Sequence, residues 1–198
     1  MRIELINTGT ELMLGQVLNS HQQWLCRQLA DLGYTVDRQV AVPDSGPAIQ
    51  QAVREALAVA RLLVVTGGLG PTSDDRTRDQ IAELLGRKLR EDAAVLAHIV
   101  EFFRARQRPM PASTRVQALV PDGATVLMNA QGTAPGLALE VSSPHAHSGS
   151  CLLVMLPGPP RELRPMFTEQ VVPMLQRRFP LETPFVCRTL KTTGLGES

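Results

Sequence analysis

Three loops of the chain combine residue types that bind anions with residue types that hold metals or move protons. They are Thr8-Gly9-Thr10-Glu11, Thr66-Gly67-Gly68-Leu69-Gly70-Pro71 and Leu156-Pro157-Gly158-Pro159-Pro160, and each follows an apolar run. Glycine lets the backbone approach a ligand and aim its N–H groups at it, and a helix starting just after such a loop adds partial positive charge. If the runs are strands of one parallel sheet, the loops share the edge at which ligands of open α/β sheets bind. The ligand implied is anionic, most simply a phosphate or pyrophosphate. Any one loop reads more readily as an ordinary turn, because glycine and proline punctuate every α/β fold. Three on one edge do not.

Carboxylates cluster in and around these loops: Glu11 in the first, Asp74, Asp75 and Asp79 just after the second, and Asp44 in the loop after Val42. Beside a phosphate they repel it unless a divalent cation lies between, or unless one acts as a base. A plainer role for Asp74 or Asp75 is to cap the helix that carries Ile81. The common phosphate motifs do not fit. Gly68-Leu69-Gly70-Pro71-Thr72-Ser73 lacks the third glycine of the dinucleotide fingerprint, and no GK[ST] follows it. Gly67-Gly68-Leu69-Gly70 matches the GxxG of a KH module in letters only, since it follows a buried strand. His145-Ala146-His147 sits among Ser, Pro and Gly and reads as an exposed loop rather than a metal pair. His98 reads as a solvated helix residue. Neither a serine nucleophile motif nor a Cys–His pair stands out.

Elements able to position these loops are legible in the apolar patterning. Ile3 to Thr8 reads as a short buried strand, and Ser20 with Gln23 as a capping box for a helix with Trp24, Leu25, Leu29 and Leu32 on one face, closed by Gly33. Tyr34 to Val42 reads as extended, Ile49 to Ala60 as an amphipathic helix, and Leu62 to Val65 as a strand covered on both faces. Further helices follow at Ile81 to Leu85 and from Asp92 to Phe103. Ala124 to Met128, Leu137 to Val141 and Cys151 to Leu156 read as strands. A final helical stripe from Leu163 to Leu175 must be bent or interrupted by Pro165 and Pro173. Strand–helix alternation of this kind predicts a three-layer α/β/α domain with a mostly parallel sheet. Val186 to Leu190 begins a strand with nothing after it to join, which reads as a chain cut inside a longer protein.

Composition excludes several classes. The 198 residues are 43% hydrophobic and carry a formal net charge of +1, which leaves no electrostatic footprint for nucleic acid or an anionic membrane. Five Phe, one Trp and one Tyr are too few for a base-stacking surface. No apolar run reaches the ~20 residues of a membrane span, and the N-terminus lacks a signal core. Three cysteines without a CxxC pair predict reduced thiols in a cytoplasmic protein.

Four stretches, Thr8 to Ser20, Thr66 to Asp75, Gln131 to Gly136 and Leu156 to Leu163, closely resemble the N-terminal domain of the CinA competence/damage-inducible proteins, a divergent relative of the molybdopterin-binding fold of MogA and MoeA. The resemblance spans essentially the whole chain. It implies a molybdopterin-binding-like domain over 1–180 and the start of a truncated KH-type segment over 181–198, with a nicotinamide mononucleotide deamidase domain beyond it in full-length members. It further implies metal-dependent hydrolysis of ADP-ribose to AMP and ribose 5-phosphate. By position, Asp75 with Thr77 matches the acidic loop after the glycine turn, and Asp44 matches a second functional aspartate. Asp75, Asp44 and Asp74 are thus the catalytic candidates, and Asp75 and Asp44 the ligands of a divalent ion (Mg²⁺, Mn²⁺ or Co²⁺). The substrate- and phosphate-binding candidates are Thr8, Gly9, Thr10, Glu11, Asn19, Thr66, Gly67, Gly68, Gly70, Pro71, Thr77, Thr133, Pro157, Gly158 and Pro159. Two alternatives stay open: a pterin-phosphate ligand, and a non-catalytic nucleotide-sensing module. The fold implies a homo-oligomer with a small-molecule nucleotide substrate, and the loop Ser142 to Ser150 reads as longer than usual for the family.

Overall fold

A computed structural model describes residues 1–142, 149–181 and 193–194. Its main sheet has the strand order β2-β1-β3-β8-β7-β6, with β1 at Ile3–Thr8, β2 at Arg38–Val42, β3 at Leu62–Thr66, β6 at Thr125–Leu127, β7 at Gly136–Ser142 and β8 at Ser150–Leu156. The strands β2, β1, β3 and β8 run parallel, and β7 and β6 close one side in antiparallel fashion. The mostly parallel three-layer arrangement expected from the alternation is therefore present.

Side chains alternate across the central strands and feed two separate cores. Leu63 and Val65 of β3 join Ile49, Val53, Ile81, Val95 and Ile99 on one face, supplied by the helices α3 (Gly46–Leu57), α4 (Thr77–Leu84) and α5 (Ala93–Ala105). Leu62 and Val64 of the same strand join Leu25, Leu29, Leu163, Phe167 and Leu175 on the other, supplied by α2 (Ser20–Asp31), α6 (Pro160–Met166), α7 (Val172–Arg178) and the turn Phe167–Val171 between the last two. The strand β3 is buried along its whole length, which is why its sequence is continuously apolar.

Several expectations from the sequence need correction. α2 is capped by Asn19, whose Oδ1 accepts from Gln22 N at 3.2 Å, so the Ser20–Gln23 box does not form. β2 begins at Arg38; Tyr34 lies outside it, buried, with its hydroxyl donating to the Phe179 carbonyl at 2.8 Å. A one-turn helix, α1 (Thr10–Met13), and a two-stranded antiparallel sheet of β4 (Leu89–Glu91) and β5 (Leu119–Pro121) carry no periodicity long enough to be read. A 3₁₀ segment at Ala112–Ala118 leads into β5. Between α6 and α7 the chain widens into a π turn at Phe167–Val171, flanked by the two prolines. Proline removes an intrahelical donor, and a π turn is one way a helix absorbs such a defect.

His98 is half-buried and not merely solvated, with Nε2 3.1 Å from the Gly132 carbonyl. Cys26 and Cys151 are free thiols, and burial pushes Cys151 up to about 12. No helix among the described residues is long and apolar enough to cross a membrane. His145, His147, Cys187, the strand expected at Val186 to Leu190 and most of the 181–198 segment lie outside the described residues, as does most of the Ser142 to Ser150 loop.

Candidate functional site

The three glycine-bearing loops leave adjacent strands at one edge of the sheet. β1 and β3 are in register to Asn7 and Thr66, and β3 and β8 to Thr66 and Leu156. Ladder bonding continues past the strand ends: Gly9 N donates to Val42 O, and Gly67 N donates to Leu156 O, both at 3.0 Å.

Packing explains two of the glycines. Gly67 has φ +95°, and a Cβ there would lie 2.6 Å from the Thr8 carbonyl. Gly68 has φ +66°, and a Cβ would collide with the Thr77 hydroxyl. Gly70 needs no special dihedral; the Asp75 carboxylate lies against it.

Beneath the turn runs a buried polar chain. Asn19 Nδ2 donates to Asn7 Oδ1 at 3.0 Å, and Asn7 Nδ2 donates to Thr66 Oγ1 at 2.7 Å. Thr8 Oγ1 donates to the Thr66 carbonyl at 3.2 Å and lies 3.1 Å from Thr77 Oγ1. Thr77 N in turn donates to Gly68 O at 3.1 Å. Buried hydroxyls and amides are costly unless paired, and each of these is paired. Asn19, Thr66 and Thr77 thus support the turn from behind.

Both aspartates are fixed by a threonine, Asp75 within its own loop and Asp44 across to the loop after β1. Asp44 Oδ2 accepts from Thr10 N at 2.8 Å and from Thr10 Oγ1 at 3.2 Å, tying the β1 and β2 loops together. Asp75 Oδ2 accepts from Thr72 N at 3.0 Å and Thr72 Oγ1 at 2.6 Å. Neither Asp74 nor Asp75 caps α4, because Arg76 occupies the cap position without a side-chain bond. Asp79 does not reach the site: its carboxylate pairs with Arg78 at 2.7 Å. Arg78 is buried and spends Nη1 on the Val116 carbonyl at 2.7 Å, which anchors the 3₁₀ segment to α4.

These parts enclose a cleft of about 400 Å³. Fourteen expected residues line it: Thr8, Gly9, Glu11, Asp44, Gly67, Gly68, Gly70, Pro71, Asp74, Asp75, Thr133, Pro157, Gly158 and Pro159. Thr10, Asn19, Thr66 and Thr77 do not. Four further lining residues, Leu69, Gln117, Ala134 and Glu162, are not expected from the sequence. Glu162 stands inside the Leu156 to Leu163 motif, whereas Gln117 arrives on the 3₁₀ segment and carries no local signal.

Five carboxylates, Glu11, Asp44, Asp74, Asp75 and Glu162, line this cleft, and among the described residues no Lys, Arg or His does. Behind the proline turn His21 is held below its ordinary pKa, first by burial and further by the Arg164 charge, against the opposing pull of the Gly158 backbone. Among the described residues no group of three or more His, Cys, Asp or Glu is close enough to form a metal cage. Asp44 and Asp75 each spend Oδ2 on a threonine, and Oδ1 of each makes no hydrogen bond among the described residues. Mg²⁺-type ions are commonly held by one or two carboxylates together with substrate phosphates. The donor set fits an ion of that kind.

Topology and cleft together define an α/β domain of the molybdopterin-binding-like class. A family model described as a probable molybdopterin binding domain matches residues 4–177. Over its full length the chain is 45% identical to a putative competence-damage inducible protein of Symbiobacterium thermophilum, covering 45% of that protein. The crystal structure of CinA from Thermoplasma acidophilum, a protein of unknown function, superposes with a TM-score of 0.75 at 30% identity, covering 87% of this chain and 97% of that one. MoaB, a molybdopterin biosynthesis enzyme of Thermus thermophilus, shares the fold at a TM-score of 0.55 and 24% identity, over 89% and 92% of the two chains. The chain belongs to the probable molybdopterin-binding domain family, among its CinA (competence-damage inducible) members. It spans about half the length of the curated relatives it matches.

Proposed function

We propose that the chain hydrolyses the pyrophosphate of ADP-ribose to AMP and ribose 5-phosphate with a divalent ion, Mg²⁺, Mn²⁺ or Co²⁺. The observation that carries this reading is the pairing of cleft-lining glycine turns with five carboxylates in a cleft that no described cationic side chain lines. A pyrophosphate entering such a cleft requires a counter-charge, and Asp44 and Asp75 are its first candidates as ligands. When bound, the ion polarises phosphoryl oxygen and lowers the pKa of water. The turn residues Gly68 and Gly70 present backbone N–H groups to the phosphates, whereas Gly67, contrary to the expectation from the sequence, spends its own on Leu156 O; Asp74, exposed at the rim, is the further candidate base.

Purified protein incubated with ADP-ribose and each of the three ions should release AMP. Folded protein that releases none with any of them overturns the reading. The fold shared with MoaB favours one second reading, a pterin phosphate held by the same turns. A titration of pterin phosphate against ADP-ribose separates the two. Tight ADP-ribose binding without turnover, whatever ion is supplied, marks a nucleotide-sensing module instead. We place the protein in the cytoplasm as a homo-oligomer that binds neither nucleic acid nor membrane, and light scattering tests the association.

A further inference from the structure

The cleft offers acceptors that the aspartates and the glycine turns do not explain. Glu162 is a buried carboxylate, 8% exposed, that lines the cleft. Its Oε2 accepts from Asn129 Nδ2 at 2.7 Å. Among the described residues its Oε1 has only the exposed Arg161 Nε, 3.8 Å away and beyond hydrogen-bond reach. Asn129 cannot serve both oxygens, because its Nδ2 also donates to Ala134 O and its Oδ1 accepts from Gln131 N. The carboxylate is thus held in place by one oxygen and left acceptor-only at the other.

Gln117 supplies an independent sign of the same chemistry. It is 2% exposed, lines the same cleft, and donates through Nε2 to Leu69 O at 3.4 Å. That bond sets the amide orientation, since a flipped amide would oppose two acceptors. Oε1 is then left buried with no hydrogen-bond partner among the described residues. Gln117 Oε1 calls for a donor, and burial makes that demand costly to leave unmet; Glu162 Oε1 adds an acceptor on a residue lining the same cleft.

A phosphate cannot answer it, since it carries acceptors and negative charge. A sugar hydroxyl pair can. Adjacent O–H groups meet a carboxylate edge well, which is how acidic side chains read ribose in other nucleotide sites. We propose that Glu162, with Gln117 lining the same cleft, is a specificity residue that accepts hydrogen bonds from a ribose cis-diol of the ligand. The inference rests on the nucleotide reading above and narrows it: the cleft takes a ribosyl phosphate, with its hydroxyls at Glu162 and its phosphates at the glycine turns.

The test is calorimetric titration with ADP-ribose and two analogues, one lacking the 2-hydroxyl of the adenosine ribose and one lacking that of the terminal ribose. The intact protein should bind one analogue roughly 10- to 100-fold more weakly than ADP-ribose, the range of one hydrogen bond to a charged group. Glu162→Ala should bind all three alike, and Glu162→Gln, which keeps one acceptor, should fall between. Gln117→Met should weaken ADP-ribose while leaving the Asn129–Glu162 pair in place, with thermal melting confirming that each variant is folded. Equal binding of all three ligands by the intact protein overturns the proposal, as does failure to bind any of them. Discrimination that survives Glu162→Ala in folded protein overturns it too. Discrimination without AMP release sinks the hydrolase reading and leaves the ribose contact standing.

Discussion

The hydroxyls of Thr8 and Thr77 lie 3.1 Å apart in the interior, joining the end of β1 to the first residue of α4. The glycine turn between β3 and α4 is thereby strapped to a different strand. Thr77→Val keeps shape and removes that hydroxyl. The expected cost is about 1 kcal/mol for the lost bond, read by chemical denaturation, with a fall in AMP release because the turn loses its strap. Unchanged turnover would show that the strap serves stability only.

Asp75 is freed by the geometry from a capping role, since Thr72 is its partner and Arg76 holds the cap position. Asp75→Asn keeps an oxygen for Thr72 and should melt close to the parent. Turnover should fall by roughly 10²-fold or more, the loss seen when one strong electrostatic group leaves a site. Full activity in this variant would transfer the role to Asp44 and Asp74.

Two glycines of positive φ should respond differently to alanine. Gly86 has φ +62°, and nothing lies within 4 Å of the place a Cβ would take, so Gly86→Ala meets backbone strain alone, about 1 kcal/mol. Gly67→Ala adds a clash at 2.6 Å with the Thr8 carbonyl. Its destabilisation should exceed that of Gly86→Ala by more than about 1 kcal/mol, and ligand binding should be lost with it. Equal melting temperatures would contradict this packing.

His21 gives the protein a pH dependence with a definite sign. Its folded pKa is lowered, chiefly by burial, so the unfolded chain binds the proton more readily. Its stability contribution is complete above the unfolded value of about 6.5 and is lost as pH falls from there toward the depressed folded value. Melting of the parent and of His21→Gln from pH 8 to 5 should therefore diverge, with the parent losing more on the acid side. Parallel curves would show that His21 does not set the acid limit.

Strands and helices with long periodic stretches are legible in the sequence because burial on one or both faces dictates their pattern: Leu62 to Val65 and Ile49 to Ala60 are examples. The small β4–β5 sheet is not, because three residues such as Leu89–Glu91 are too few to show alternation. At the cleft, residues in contiguous motifs reveal themselves by type and spacing. Gln117 is invisible because Arg78, distant in sequence, anchors its segment through the Val116 carbonyl. Glu162 lies within a motif, yet a glutamate after two prolines reads equally as the first turn of a helix. Thr66 and Thr77 read as ligand contacts; in the structure they do not line the cleft and take part in the polar chain beneath the turn.

The backbone bonds from Gly9 to Val42 and from Gly67 to Leu156 carry the sheet's order one residue into each loop. Loops of this composition ordinarily sample many shapes and surrender that freedom when a ligand arrives. Here the loss is taken at folding, so the two turns meet a ligand as parts of the sheet's rim. Their amides should resist solvent exchange as the strands do, and affinity should respond more to the chemistry of the ligand than to the ordering of the loops.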